Sequence, residues 1–442
     1  MKKTLLTAGC TAMVAAMLLC ACAPVQTQPA TEGTQMTTPT AGTTPETSAA
    51  PENPALPEWR YDFIKSESAQ YNYGKEEQYV PFWQTNVIYN ECFCFVAGEN
   101  GEAPTGRLRF TPKRIISVRD WTLKKEYVEG RDYTFDKGTL TFTRPEGSSV
   151  PYFTRNFLSG KNEDGSLMDP FTDANEAPWS TLGYARWNNA VYCVGPELYQ
   201  KQVFVTYEYD PAEFDGPAQQ FQGEKLKNTM AKLLSGSEIS VLFYGDSVPY
   251  GCDASSMYRR RPNQDGFPKM FKKALTDIYG VKVKYTNTSV GGTTSQWAME
   301  NVDNEVIAHN PDLVVLMTGG NDSSDDAAEG CEKNIAAAVR RIKEKLPHCE
   351  IILMDTLLSN KDGGFAFEIE PALEGIHDRI AQSEEGVVSA GIFRMHTYML
   401  QGKHYIDFSG NGLNHPNDYL IRLYAQQLLS TVVDFDAVKA RG

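Results

Sequence analysis

From about residue 239 the chain alternates two hydrophobic rhythms. Short runs that are apolar throughout, at 239–244, 313–317 and 350–354, are separated by longer stretches whose apolar residues recur at helical spacing. Helices are predicted over 224–234 (Leu226, Met230, Leu233), 267–279, 296–308 and 327–345, with a further strand over 281–285. Strands that are apolar on both faces and alternate with helices indicate a parallel sheet covered on both sides. Sites in such sheets form at the carboxyl ends of the strands. The polar and glycine-rich punctuation of this chain falls at those ends.

The stretch from Trp59 to Asp215 has period two instead. Residues 107–110, 113–118 and 201–209 alternate polar with apolar. Residues 132–135 and 139–143 flank Asp136-Lys137-Gly138, which is hairpin chemistry. Closely spaced strands with turns between them predict a β-sandwich of jelly-roll type. Trp83, Trp121, Tyr152, Trp179 and Trp187 offer either a sugar-stacking face or ordinary core packing, and core is the commoner use of such residues.

Before either rhythm begins, Lys2 and Lys3 precede an apolar run from Leu5 to Leu19, too short for a stable membrane span and flanked like a signal peptide. The run ends in Leu19-Cys20-Ala21-Cys22, which resembles a bacterial lipobox. The resemblance implies lipidation of Cys22 after cleavage and attachment to the outer face of the cell membrane, where two acyl chains would hold it durably. An ordinary secretory signal is the alternative, and it too leads outside the cytoplasm. Residues 23–56 are rich in Thr, Pro and Ala without apolar periodicity, and are expected to be a disordered spacer. The expected organisation is therefore a signal peptide over 1–22, a linker over 23–56, a β-sandwich domain over 57–218 and a parallel-sheet domain over 219–442.

Charge and cysteines narrow the chemistry. A net charge of −14 argues against a nucleic-acid partner, which requires a basic face. Cys92, Cys94, Cys193, Cys252, Cys331 and Cys349 lack metal-finger spacing and read as small core residues, with one or two disulfides of unassigned pairing open. No cofactor or metal is expected. Asp322-Ser323-Ser324-Asp325-Asp326 lacks the glycine and terminal glutamate of a calcium loop, and reads as capping the helix that follows. Arg259-Arg260-Arg261 reads as a solvated charge run, with an anionic substrate group as the sharper alternative.

Four clusters remain: Gly245-Asp246-Ser247, Gly291-Gly292, Gly319-Gly320-Asn321-Asp322, and Asn411-Gly412-Leu413-Asn414-His415-Pro416. In this order, the first three each ending a buried strand, they resemble the four blocks of the SGNH/GDSL hydrolase family over residues 239–429. The resemblance implies a flavodoxin-like three-layer α/β/α domain. It also implies Ser247 as nucleophile, His415 as general base, and an oxyanion hole from the backbone N–H groups of Ser247 and Gly292 and the side-chain amide of Asn321. An alcohol attacks poorly without a base to take its proton, and a tetrahedral intermediate needs preorganised donors.

The family places an aspartate three residues before the histidine; here that residue is Gly412. A Ser-His dyad with a backbone carbonyl orienting the imidazole is the favoured expectation. Asp407 is the first carboxylate alternative, with Asn411 and Asp418 as further candidates. A β-rich module ahead of such a domain resembles the layout of some polysaccharide acetylesterases, so the expected reaction is O-deacetylation of a carbohydrate. A lipid or short-chain acyl esterase is the alternative, and a non-catalytic glycan-binding surface lipoprotein the second.

Overall fold

The computed structural model describes residues 79–440 apart from 100, 172–182, 194–196, 324–325 and 365–368. The expected signal peptide, Cys22, the linker and Trp179 lie outside the described residues.

Thirteen strands are labelled here in chain order. The first eight are β1 Val87–Cys94, β2 Thr105–Arg107, β3 Arg114–Asp120, β4 Thr134–Phe135, β5 Thr141–Thr143, β6 Tyr184–Trp187, β7 Ala190–Cys193 and β8 Gln202–Glu208. The remaining five are β9 Ile239–Gly245, β10 Val283–Asn287, β11 Leu313–Met317, β12 Glu350–Met354 and β13 Val387–Ala390. The longer helices are α1 Lys227–Ser235, α2 Phe267–Tyr279, α3 Ser295–Glu305, α4 Ala327–Lys345, α5 Glu370–Ser383 and α6 Asp418–Ser430.

The last five strands form one parallel sheet in the order β10-β9-β11-β12-β13, the flavodoxin-like arrangement. Its register follows from the apolar runs: Leu313 lies beside Val241 and Met317 beside Gly245, with Leu313 also facing Glu350. Successive residues of a strand point to opposite faces, and the packing obeys this. Val241, Phe243, Val315 and Met317 share one core with Phe267, Met270, Phe271 and Ala274 of α2. Leu242, Tyr244, Val314 and Leu316 share the other with Ala298 and Val302 of α3 and Ile335, Val339 and Ile342 of α4. The three-layer domain anticipated from the sequence is therefore present. It extends past the last predicted strand through α5, β13 and α6.

The first eight strands are antiparallel. They form sheets β1-β8-β3 and β2-β5-β4 and the hairpin β6-β7, a β-rich region of small sheets. The hairpin predicted at Asp136-Lys137-Gly138 joins β4 to β5, with Gly138 at φ +85°. Of residues 108–110 only Leu108 keeps the expected pairing, its N–H donating to the Leu140 carbonyl at 2.9 Å. The Arg109 N–H donates to the Glu91 side chain instead, so beyond Leu108 the alternation, with Leu108 and Phe110 buried, reflects burial rather than strand pairing.

The two regions share a single continuous core. Phe93, Phe110, Phe142 and Tyr207 belong to the same apolar cluster as α2 and α6. Every residue of α6 is buried, and Arg422 reaches from it to the carbonyls of Tyr89 and Asn90 in β1 at 2.8 and 2.6 Å. Trp187 packs with Phe171, Tyr192 and Leu413, and Trp83 stacks on Phe214, so these aromatics serve as packing residues. The six cysteines past Cys22 are buried, and no disulfide joins any two of them.

Candidate active site

Strand β9 ends in Gly245, where a side chain is excluded: a Cβ would lie 1.7 Å from the Met317 carbonyl oxygen of the neighbouring β11. The backbone then turns sharply into a short helix, Ser247–Tyr250. Asp246 caps it, its carboxylate accepting from the Val248 N–H at 3.0 Å. Burial pushes the Asp246 carboxyl up to about 6, against the opposing pull of that N–H and of His415. Ser247 is thus presented at the carboxyl edge of the sheet on a fixed turn.

Its hydroxyl lies 2.8 Å from His415 Nε2. The other ring nitrogen, Nδ1, lies 2.5 Å from Asp253 Oδ2. Asp253 is nearly buried and sits at φ +60° in the loop after the nucleophile helix. The Tyr258 hydroxyl donates to its second oxygen, Oδ1. Serine, imidazole and carboxylate therefore stand in line, the geometry of nucleophile, base and orienting acid.

The dyad expected from the sequence is not what is seen. Asp407, the first carboxylate alternative, is buried away from His415 and accepts the N–H groups of Cys94 (2.7 Å) and His404 (3.0 Å). Asp418 accepts from the Ser255 N–H at 2.9 Å. Asn411 instead shapes the histidine loop, its Oδ1 accepting from the N–H groups of Leu413, Asn414 and His415. The missing family aspartate has a steric cause. Gly412 sits at φ +85°, and a Cβ there would approach the Val191 carbonyl oxygen to 2.3 Å. The only sequence signal for Asp253 was its place six residues after the nucleophile, which has meaning only once the loop is seen to fold back onto His415.

The two other donor blocks meet at the same edge. The Val290 N–H and the Thr293 hydroxyl both donate to the Gly245 carbonyl, at 2.9 and 3.3 Å, which brings Gly291-Gly292 beside the nucleophile turn. Asn321 Nδ2 donates to the Thr293 carbonyl at 3.0 Å, tying the loop after β11 to the loop after β10. That amide has a second N–H to offer. Its neighbour Asp322 accepts from both the N–H and the hydroxyl of Ser295, at 2.9 and 2.5 Å, rather than joining a cation site. Asp326 occupies the N-cap position of α4. Among the described residues no group of three or more His, Cys, Asp or Glu is arranged to hold a metal ion.

A buried serine–histidine–aspartate line at the carboxyl edge of a parallel sheet, beside convergent glycine and amide donors, defines a hydrolase of the acyl-transfer class. In agreement, residues 243–419 match the GDSL-like Lipase/Acylhydrolase family, and this part of the chain is a GDSL/SGNH lipase-acylhydrolase domain. No curated protein matches the chain significantly. Among solved structures, one match is a two-domain esterase (CEX) active on acetylated mannans, co-crystallized with mannopentaose. It is 21% identical with a TM-score of 0.40, covering 51% of this chain and 56% of that one. Another is an acetylxylan esterase from Geobacillus stearothermophilus, 18% identical with a TM-score of 0.36, covering 45% of this chain and 97% of that one. The chain thus spans just over half the length of the mannan esterase.

Proposed function

We propose that the protein is a serine esterase that removes O-acetyl groups from a carbohydrate polymer, held outside the cell through a lipid on Cys22. Ser247 is the nucleophile, His415 the general base and Asp253 the acid that orients it. The oxyanion hole comprises the backbone N–H groups of Ser247 and Gly292 and the free N–H of the Asn321 amide. In the first half-reaction His415 Nε2 takes the Ser247 proton as Oγ attacks the ester carbonyl. The oxyanion collapses, His415 returns the proton to the departing sugar oxygen, and acetyl-Ser247 remains. Water, deprotonated by the same imidazole, then attacks the acyl-enzyme, and acetate is released as His415 returns that proton to Ser247 Oγ. Each hole donor is expected to supply about 3 kcal/mol of transition-state stabilisation.

The observation that carries this reading is the continuous hydrogen-bonded line from Ser247 through His415 to Asp253. The polar acceptor is supported by the setting. Tyr250, at the end of the nucleophile helix, is 39% exposed, three residues from Ser247. The test is acetate release from acetylated xylan and from 4-nitrophenyl acetate by the purified protein and its Ser247→Ala variant. Turnover that disappears with Ser247 is expected. Equal, negligible release from both proteins overturns the reading. Replacing Cys22 with Ala is expected to move the protein from the membrane to the soluble fraction.

A further inference from the structure

Arg259, Arg260 and Arg261 are all exposed, in the loop that runs on from Asp253. Other exposed or partly exposed arginines of this acidic protein, Arg114, Arg131, Arg341 and Arg379, each face a carboxylate at 2.6 to 2.8 Å. Yet among the described residues none of the three arginines has an ion pair or a side-chain hydrogen bond. The carboxylates nearest along the chain are committed elsewhere, Asp253 to His415 and Tyr258, and Asp265 to Lys273. Three like charges on successive residues of one exposed loop repel one another.

The loop holds these charges in a fixed place. The Arg259 N–H donates to Ser256 O and the Arg260 N–H to Ser255 O, both at 3.0 Å. Ser255 is bound in turn to Asp418 at the start of α6. Arg259 takes a left-handed backbone, φ +53°, which a non-glycine residue adopts only when its surroundings impose it. Tyr258, the residue before it, donates to the Asp253 carboxylate that faces His415, so the run begins one side chain away from the reacting groups. Met257, in the same loop, is 41% exposed and adds apolar surface beside the charge.

We infer that this arginine run is an anion-recognition rim of the active site, and that the ester substrate is borne on a polyanionic glycan carrying carboxylate or phosphate groups. The inference rests on the esterase reading above. Guanidinium groups match both anions in a bidentate way, and a fixed cationic rim raises the local concentration of a polyanion and its rate of association. For a protein otherwise strongly negative, such a rim is also what allows a polyanion to approach.

The test compares kcat/KM on acetylated polygalacturonate, on acetylated glucomannan and on 4-nitrophenyl acetate. It uses the full protein and a variant with Arg259→Gln, Arg260→Gln and Arg261→Gln, and a second variant carries lysine at all three positions. The wild type is expected to favour the anionic polymer over the neutral one by roughly tenfold or more at low salt, with the preference shrinking as salt rises. The glutamine variant is expected to lose that ratio and the lysine variant to recover part of it. Polygalacturonate or polyphosphate is expected to inhibit the wild type more than the glutamine variant, and the stronger inhibitor tells carboxylate from phosphate. Hydrolysis of 4-nitrophenyl acetate with no polymer preference, or with a preference indifferent to salt and to the arginines, overturns the rim and leaves the esterase standing. Absence of hydrolysis of all three substrates removes the esterase itself.

Discussion

Strands β9 and β11 deliver Ser247 and Asn321 from a parallel sheet whose own hydrogen bonds hold the turns, with Asp246 N–H on Met317 O and Val290 N–H on Gly245 O. His415 is delivered differently, on a loop clamped from the antiparallel region. The Cys193 N–H of β7 donates to Asn411 O at 2.9 Å, Val191 O lies under Gly412, and the Cys94 N–H of β1 holds Asp407, whose carbonyl receives Asn417 Nδ2. A fully buried ion pair crosses the same seam. Lys403 Nζ meets Glu91 Oε1 at 2.7 Å and the carbonyls of Cys92 and Arg107, while the Tyr207 hydroxyl donates to Glu91 Oε2. One half of the site is thus built by the sheet that bears it, and the other half is borrowed from the region in front of it. The antiparallel strands act as a wall of the site as well as a neighbour to it.

The sharpest way to break this comparison is to separate the carboxylate at His415 from the carboxylate at the seam. Asp253→Asn is expected to lower kcat about 10⁴-fold, with KM little changed, because the imidazole loses the acceptor that fixes its tautomer. Asp407→Asn should leave kcat within a few-fold and register in stability instead. Comparable kcat losses in the two variants would erase the distinction.

Next in size is the seam itself. Lys403→Met strands the Glu91 carboxylate at full burial, and denaturant titration should show a loss of about 3–5 kcal/mol in one transition. Two separate transitions, with the parallel-sheet domain unaffected, would mean that the regions fold independently.

Gly412→Asp restores the family spacing on paper. The left-handed backbone and the contact with Val191 O predict a cost of about 1–3 kcal/mol and no rescue when combined with Asp253→Asn. Recovery of activity in that double variant would show that the loop can rearrange.

Tyr258→Phe removes one donor to the Asp253 carboxylate. About a tenfold fall in kcat with KM little changed is expected, since the carboxylate that orients His415 loses one of its fixed contacts. A changed melting temperature with an unchanged kcat would make the tyrosine merely structural.

The smallest effect concerns protons. Burial lifts the Asp355 carboxyl to about 7, above its value in the unfolded chain, so the native state holds the extra proton in between. The resulting stability is complete below the unfolded value and is lost as the pH rises through about 7. Asp355→Asn keeps the acceptor for the N–H groups of Ile392 and Phe393. It is expected to melt higher, relative to the wild type, at a pH of about 8.5 than at about 5. An offset that does not vary with pH would place the proton elsewhere.

Four of the five strands of the parallel sheet were legible, β10 two residues early, while β13 was not. Runs such as 313–317 and helices such as 267–279 and 327–345 fall where their periodicity places them, because a strand buried on both faces and an amphipathic helix each leave a local pattern. Ser247, Gly292, Asn321 and His415 stood out as candidates, since each sits in a short block at a strand end or in a glycine- and asparagine-rich loop, and the structure brings Ser247 and His415 within 2.8 Å. The antiparallel region was legible only as strand-rich. Its alternation at 108–110 outlasts the pairing, since after Leu108 the Arg109 N–H found a carboxylate in place of a strand partner.

What the chain determines locally, then, is the sheet, its order of helices and strands, and the four blocks at its edge. Tertiary structure alone decided which carboxylate faces His415, why Gly412 cannot be aspartate, and that α6 is buried on every side. Those three outcomes depend on contacts between residues more than a hundred positions apart, such as Asp253 with His415 and Val191 with Gly412. Local periodicity records which face of an element is buried. It does not record what that face is buried against.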